Sequence, residues 1–266
     1  MLLYQDSLLK FIDNSSLDSL PRTLLVQGPK GCGKHLLASY LKNKFNFLLQ
    51  DITNCVCLDL VNEIYSRVEP YLYILNVDEI SIKDQNVLLK ILEEPFKNTY
   101  FFLMTEDVQF VIDTIKNRSF LLTFKPYQKI DLNTFINQKD HSDIILSIAD
   151  TPGQISLLES YDLKKLFDLC ISIFDKIEKA SWANTLSILD KIAFKDEKDK
   201  YEVNLFWKVL HRVAYIRVLN NLPLSASLYD LTEEYFNKLH FRQVDKRNIT
   251  EQFLITLKRE VRKHAH

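Results

Sequence analysis

The run LLVQGPKGCGKHLLASYL, from Leu24 to Leu41, contains three of the four glycines in the chain. An apolar segment, Thr23–Gln27, precedes these glycines, and residues with helical spacing follow them. This order predicts a buried strand, a tight loop and a helix. Because glycines let backbone amides converge at the start of a helix, the pattern is typical of a phosphate-binding loop.

The loop departs from the usual pattern at its last position. Gly28, Gly31 and Gly33 would shape the backbone around phosphates, and Lys34 would reach the phosphate oxygens. The next residue is normally a Ser or Thr whose hydroxyl ligates Mg²⁺, but here it is His35. Magnesium prefers oxygen ligands to an imidazole nitrogen. Nucleotide binding therefore stays open, and a glycine turn that never held a ligand is the alternative.

Two acids follow a second apolar segment, Leu72–Val77, which predicts another buried strand. Asp78 at its end is a candidate to hold Mg²⁺ through water, and Glu79 is a candidate to polarise an attacking water. Acidic residues often follow strands, so this pair alone is weak evidence for a site. It indicates a nucleotide site because a glycine loop precedes it in the sequence.

Helices and strands alternate in the first half of the chain. Ser81 and Asp84 predict a helix start with a capping box, and the helix is expected to run to about Glu93 and to be ended by Pro95. Further strands are predicted at 100–104 and 120–124, with a helix over 108–116 between them. The alternation predicts an α/β fold with a parallel sheet.

The β pattern stops after Pro126, and helical spacing continues to the end of the chain. We therefore expect three domains: a nucleotide-fold domain over 1–126, a small helical lid over 127–160, and an all-α domain over 161–266. The turn Thr151-Pro152-Gly153 lies in the second of these and contains the fourth glycine.

Composition excludes several classes of protein. The 266 residues are 47% hydrophobic with a formal net charge of -1, so binding to nucleic acid through whole-chain charge is not expected. No leader-like start and no apolar run of about 18 residues are seen, so we expect a soluble, cytoplasmic protein. The cysteines at 32, 55, 57 and 170 do not have zinc-site spacing, and we predict idle thiols and no metal.

A longer motif is more specific than the glycine loop. The segment QNVLLKILEEP, Gln85 to Pro95, is close to the pattern QNALLKxLEEP, and the strand-like Asn98-Thr99-Tyr100-Phe101 follows it. With these residues the chain resembles the bacterial AAA+ clamp-loader subunits that serve DNA polymerase III, over about residues 20–160. The resemblance implies an AAA+ P-loop domain, a helical lid and an all-α collar through which subunits assemble into hetero-oligomers.

The resemblance also implies a function. Clamp loaders open the sliding clamp and place it on primed DNA, and each ATP lies at a seam where the neighbouring subunit supplies an arginine. The family's Ser-Arg-Cys triplet is matched by Asn117-Arg118-Ser119, so Arg118 is expected to act in trans. A guanidinium is permanently charged and can fork onto phosphate oxygens. The alternative is a surface arginine that caps the preceding helix.

Two further positions depart from the family pattern. The second-sensor arginine is replaced by Gln154, and the first sensor would be Thr105 or Glu106. The resemblance thus implies a stator subunit whose own site is degenerate, with Glu79 vestigial. Such a subunit requires no cofactor and binds ATP or ADP with Mg²⁺ weakly at most.

The expected partners are clamp-loader subunits of the gamma/tau and delta types, the sliding clamp, and primed DNA reached through the complex, without a membrane. The rival interpretations are an active motor-type ATPase that tolerates His35, and a scaffold that uses neither ATP nor Arg118. The family's four-cysteine zinc module is missing, since only Cys55 and Cys57 occur there. Basic residues near the C-terminus indicate either a solvated helix face or a contact with DNA or an acidic partner.

Overall fold

The computed structural model describes residues 4–52, 69–93, 98–137, 142–177, 179–194, 200–239 and 244–263. Contacts within the chain divide it into two compact units. The sheet unit contains residues up to 134 together with 150–153, and the helical unit contains 135–149 and the residues from 154 onward. The division into three domains at 126 and 160 stays a prediction.

Within the described residues, the sheet unit is built on five parallel strands, which confirms the α/β class. The strands lie in the order β2, β3, β4, β1, β5, so that β4 and β1 are central. Their bounds are β1 Thr23–Gln27, β2 Leu48–Ile52, β3 Tyr71–Asn76, β4 Thr99–Thr105 and β5 Phe120–Thr123.

Helices and short turns connect these strands. The helices are α1 Asp6–Asn14, α2 Lys34–Phe45, α3 Ile82–Glu93, α4 Asp113–Lys116 and α5 Lys129–Leu132. Helix α3 begins and ends where the sequence predicts, and the Ser81 hydroxyl accepts a hydrogen bond from the Asp84 amide at 3.2 Å. Pro95, which was expected to end this helix, lies outside the described residues.

Both faces of the three inner strands, β3, β4 and β1, are buried, as expected for parallel strands covered by helices. Along β4, Phe102 and its alternate neighbours pack with residues of α1 and α2, whereas Phe101 and Leu103 pack with α3 and α4. The side-chain alternation of one strand thus supplies two separate cores. Packing on both faces fixes the position of the sheet, and the ends of its strands are fixed with it.

The helix expected over 108–116 is wrong in its extent. A 3₁₀ turn covers Val108–Phe110, and α4 begins only at Asp113. Between them Val111 is extended and buried in the core. The amide of Ile112 donates to the side chain of Gln85 at 3.2 Å, and this contact with α3 replaces a bond within a helix.

Strand β2 is absent from the sequence prediction. It lies at one edge of the sheet, and its residues are exposed or only partly buried. The polar pair Gln50-Asp51 interrupts its apolar pattern. Pairing with β3 in parallel register therefore defines this strand, not hydrophobic periodicity.

The helical unit contains seven helices within the part of the chain that the structure describes, the first two residues of α7 belonging to the sheet unit. They are α6 Ser142–Ile148, α7 Pro152–Glu159, α8 Leu163–Lys176, α9 Trp182–Leu186, α10 Val203–Leu219, α11 Ser225–Lys238 and α12 Lys246–Lys263. A two-residue parallel ladder, β6 Ile192–Ala193 with β7 Tyr201–Glu202, is the departure from the predicted all-α composition.

Lys258 corrects the interpretation of the C-terminal basic residues as one solvated face. Its side chain is fully buried, and its ammonium donates to the carbonyls of Ile177, at 2.7 Å, and Ala180. These carbonyls follow the end of α8, where unpaired acceptors need partners. Lys258 is therefore a structural residue, whereas Arg259, Arg262 and Lys263 are exposed or half-exposed.

No helix in the described ranges combines the length and the apolar composition that a membrane span requires. Among the same residues, no group of three or more His, Cys, Asp or Glu side chains is placed to hold a metal ion. Cys55 and Cys57 lie outside the described ranges, so the prediction that they bind no metal stays a prediction.

His211 is a half-buried titratable group on α10. Its ring stacks against Phe236 with centroids 5.1 Å apart, and its Nε2 atom is buried with no hydrogen-bond partner in the described chain. Burial lowers the pKa of His211, and the nearby Glu233 carboxylate opposes this shift. The folded state therefore favours the neutral imidazole.

We predict that His211 makes stability depend on pH. Because its folded pKa lies below the ordinary value of about 6.5, the unfolded chain binds the proton first as pH falls. The free energy of unfolding should decrease from about pH 7.5 to about pH 5.5, and His211→Phe should lose part of this decrease. Urea unfolding at both pH values measures it. Phe236→Leu should lower the free energy of unfolding by the same amount at both pH values. An equal change at both pH values for His211→Phe would contradict the prediction.

Candidate functional site

The glycine loop lies at the carboxyl end of β1 and leads directly into α2. Gly31 and Gly33 have φ angles of 81° and 111°, in the left-handed region that side-chain-bearing residues avoid. Gly33 is the residue that precedes the first turn of α2, whose amides have no partners within the helix. The backbone thus has the form of an anion-binding loop.

Lys34 is turned back onto this loop. Its ammonium donates to the carbonyl of Gly28 and lies 3.2 Å from the carbonyl of Pro29. These carbonyls neutralise part of the charge that a phosphate-binding lysine presents to its ligand. A phosphate would have to draw Lys34 away from both.

The turn Thr151-Pro152-Gly153 packs against the same loop. The Thr151 hydroxyl donates to the Lys30 carbonyl at 2.9 Å, and the Gly153 amide donates to the Gly31 carbonyl at 3.0 Å. A Cβ atom at Gly153 would lie 2.6 Å from the Gly31 Cα atom. The backbones approach so closely that glycine is required at position 153.

Cys32 lies beneath the loop and is buried. Its carbonyl accepts a hydrogen bond from the Tyr127 hydroxyl at 2.8 Å. Burial raises the pKa of the Cys32 thiol above its ordinary value, despite the opposing charge of Lys34. The thiol is therefore a packing group and not a nucleophile.

The acid pair follows β3 in a 3₁₀ turn, Val77–Glu79. Like the glycine loop, it lies at the carboxyl ends of the parallel strands. Both oxygens of Asp78 are hydrogen-bonded: Oδ1 to the Thr105 hydroxyl at 2.8 Å and Oδ2 to the Glu106 amide at 2.6 Å. Glu79 accepts from the Asn76 side chain at 2.6 Å. Asp78 is thus bound to the end of the neighbouring strand β4, and Glu79 is bound to the end of β3.

The two candidates for the first sensor are placed differently. Thr105 is fully buried at the end of β4, and its hydroxyl contacts Asp78 directly. Glu106 is exposed, and its backbone amide donates to Asp78. Thr105 is therefore the residue that couples the ends of β3 and β4.

The residue after Lys34 differs from the one that a magnesium-binding loop normally has. His35 is exposed at the first turn of α2, in the position where a hydroxyl is needed. Asp78 accepts one hydrogen bond at each oxygen from residues at the end of β4, and each oxygen has a further lone pair. Among the described residues, the loop has the backbone form of an anion-binding loop, and position 35 lacks the hydroxyl that magnesium prefers.

Arg118 lies between the end of α4 and the start of β5 and is exposed. Its Nη1 atom donates to the Thr114 carbonyl at 3.0 Å, and its Nη2 atom donates to Glu93 Oε1 at 2.7 Å. The contact with Thr114 is the helix-capping role considered above, and the ion pair with Glu93 was not anticipated. Glu93 lies in the QNVLLKILEEP motif, and this motif is the sequence signal by which Glu93 could have been identified.

The register of the sheet separates Arg118 from the glycine loop. Phe120 pairs with Leu24, near the amino end of β1, while the loop begins with Gly28 beyond its carboxyl end. The rise from Leu24 to Gly28 is about 13 Å at roughly 3.3 Å per residue, and Arg118 lies still further back. Arg118 therefore lies toward the amino ends of the strands, whereas the glycine loop lies at their carboxyl ends.

Gln154, at the position of the second sensor, is held within the helical unit. Its Oε1 atom accepts a hydrogen bond from the Lys208 ammonium at 2.9 Å. Lys208 on α10 was not identified from the sequence, because no motif connects it with Gln154. The uncharged side chain at 154 is thus paired with a cation from a distant part of the chain.

Comparisons with known proteins agree with this architecture. The family model described as "DNA polymerase III, delta subunit" matches residues 64–128, which include Asp78, Glu93 and Arg118. The chain is 25% identical to DNA polymerase III subunit delta' of Bacillus subtilis (strain 168), over 98% of this chain and 92% of that protein.

A solved structure shares the fold. It is a DNA polymerase III gamma subunit-related protein from Thermotoga maritima, with a TM-score of 0.52 and 14% identity, matched over 96% of this chain and 98% of that one. The chain thus has the fold of this gamma subunit-related protein. Its sequence is similar to that of DNA polymerase III subunit delta'.

We predict that Gly153→Ala destabilises the sheet unit by about 1–3 kcal/mol, because the new Cβ must displace backbone at Gly31. Chemical denaturation measures the change. Ser156→Ala, at an exposed position of the same helix, should stay within about 0.5 kcal/mol of the unmodified protein. Equal stabilities for the two variants would show that the close contact is not needed.

Proposed function

We propose that this protein is a stator subunit of a DNA polymerase III clamp loader. It lends Arg118 to a nucleotide held by a neighbouring subunit and does not hydrolyse ATP in its own pocket. The observation that carries the proposal is the strand register. Arg118 lies toward the amino ends of the strands, and the glycine loop lies at their carboxyl ends. A group so placed can serve a phosphate only on another chain.

The degenerate pocket is supported by three features of the glycine loop and its neighbours. His35 provides no hydroxyl for magnesium, Lys34 is bound to loop carbonyls, and Asp78 is bound to the end of β4. Hydrolysis needs a metal that neutralises phosphate charge and a free acid that orients water. Glu79 is the candidate for that acid, and it is paired with Asn76 instead.

The proposed partners follow from the family. We propose gamma/tau-type and delta-type subunits as neighbours, with the sliding clamp and primed DNA reached through the complex in the cytoplasm. No cofactor is required by the stator role. ATP or ADP bound at Lys34 would be weak and would serve structure alone.

We predict that Arg118→Ala lowers DNA-stimulated ATP hydrolysis by the reconstituted loader. Turnover at the seam that Arg118 serves should fall on the order of 10³-fold, because charge developing on the phosphate loses its partner. Arg118→Lys should not rescue it, since an ammonium cannot fork onto two oxygens. Steady-state hydrolysis with clamp and primed DNA measures the loss.

Lys116→Ala is the matched control, because it removes a positive charge two residues away from Arg118. Size-exclusion chromatography must show that all complexes assemble. Unchanged hydrolysis in an assembled Arg118→Ala complex would refute the role of Arg118 in trans and would favour the scaffold interpretation. Turnover by the isolated chain that is lost in Lys34→Ala would favour the motor interpretation.

We predict that millimolar ATP with Mg²⁺ changes the thermal unfolding midpoint of the isolated protein very little. Even a site with a Kd of about 1 mM would add only about 0.4 kcal/mol at 1 mM ligand. His35→Thr restores the missing hydroxyl and should introduce a stabilisation that depends on magnesium. A large magnesium-dependent shift in the unmodified protein would show that its pocket is intact.

A further inference from the structure

The guanidinium of Arg118 is held at both of its terminal nitrogens. Nη1 donates to the Thr114 carbonyl at 3.0 Å, and Nη2 donates to Glu93 Oε1 at 2.7 Å. The first contact comes from the helix that directly precedes Arg118, and the second comes from the last residue of α3. Two elements distant in sequence therefore determine where the guanidinium points.

These two elements are fixed to each other in the core. The Gln85 side chain on α3 is buried and accepts a hydrogen bond from the Ile112 amide, immediately before α4. Ile115 on α4 is fully buried in the same core cluster as Leu88 and Ile91 of α3. Because α3 and α4 form one packed body, the Glu93 carboxylate is a fixed reference point for Arg118.

The ion pair contributes little to stability. The side chains of Arg118 and Glu93 are 36% and 50% exposed, and exposed pairs of this kind are weak. Glu93 also ends a helix, where the macrodipole disfavours a carboxylate. The physical consequence of the pair is therefore the orientation of the guanidinium.

The contact with Glu93 leaves Arg118 able to bind phosphate. A guanidinium has five N–H donors, and the two hydrogen bonds use one on each terminal nitrogen. The Nε–H group and the second hydrogen of each terminal nitrogen are not used by these two bonds. A phosphate can be bound through them while Glu93 keeps its place.

We propose that Glu93 is a positioning residue, which orients Arg118 before the subunit meets the nucleotide of its neighbour. This inference rests on the proposed function, because it assigns a role for Arg118 across the seam. A fixed guanidinium meets the phosphate in productive geometry, whereas a free side chain samples many rotamers.

Hydrolysis by the reconstituted loader, with clamp and primed DNA, tests the role of Glu93. The readout is the Arg118-dependent part of kcat, which is the difference between the unmodified complex and the Arg118→Ala complex. Glu93→Ala should lower this part about tenfold and leave KM for ATP unchanged. Glu93→Gln keeps an oxygen acceptor of the same size and should lose less.

Two further variants separate positioning from a structural role. In an Arg118→Ala background, Glu93→Ala should cause no further loss, because its effect passes through Arg118. Asp113→Ala removes the neighbouring exposed ion pair, Lys116 with Asp113, and should leave kcat unchanged. The melting temperatures of the isolated variants should match that of the unmodified protein.

The outcomes distinguish the inference from the function on which it rests. If Arg118→Ala has no effect on hydrolysis, the proposed function and the role of Glu93 both fall. If Arg118→Ala lowers hydrolysis and Glu93→Ala does not, only the role of Glu93 falls. A rise in kcat for Glu93→Ala would mean that the carboxylate withholds Arg118, and an equal loss in the Arg118→Ala background would mean a structural role. Either result overturns positioning.

Discussion

The parallel register of β3, β4, β1 and β5 is the constraint on which the remaining structure depends. It places the carboxyl ends of these strands side by side, where the glycine loop, Asp78 and Glu106 come together. Arg118 lies at the opposite, amino ends of the strands. One sheet thus holds the glycine loop and Arg118 at positions that do not share residues. A change at the loop, such as His35 in place of a hydroxyl, leaves the geometry around Arg118 untouched.

Around the glycine loop, the polar groups of the protein are hydrogen-bonded to one another. Asp78 is bound by Thr105 and Glu106, Lys34 by loop carbonyls, and the carbonyls of Lys30 and Gly31 by the 151–153 turn. Polar groups near buried strand ends are costly when unpaired, so these hydrogen bonds stabilise the loop and the strand ends around it. A phosphate would have to draw Lys34 away from the loop carbonyls, and its magnesium would gain no hydroxyl ligand from His35.

The sequence predicts the central features of the fold, because buried strands and the glycine loop have strong local patterns. The bounds of β1 and α3 agree with it, and Thr151-Pro152-Gly153 proves to be a point of contact with the loop. Sequence does not predict β2, whose pairing comes from the neighbouring strand, or the break before α4, where Gln85 binds the Ile112 amide. The pair Gln154 with Lys208 joins distant residues, and no local pattern encodes it, whereas Glu93, which pairs with Arg118, lies in the QNVLLKILEEP motif.

The glycine motif by itself is weaker support for nucleotide binding than its sequence indicates. A Cβ at Gly28 would lie 2.7 Å from the Cys32 sulfur and 2.9 Å from Phe124 Cβ, and Gly31 has a φ of 81°. Packing and backbone geometry therefore require these glycines whether or not a phosphate is bound. His35 is different, because an exposed position accepts many side chains without a cost in packing. Its lack of a hydroxyl has no structural cause, so this residue carries more information about the chemistry of the pocket than the glycines do.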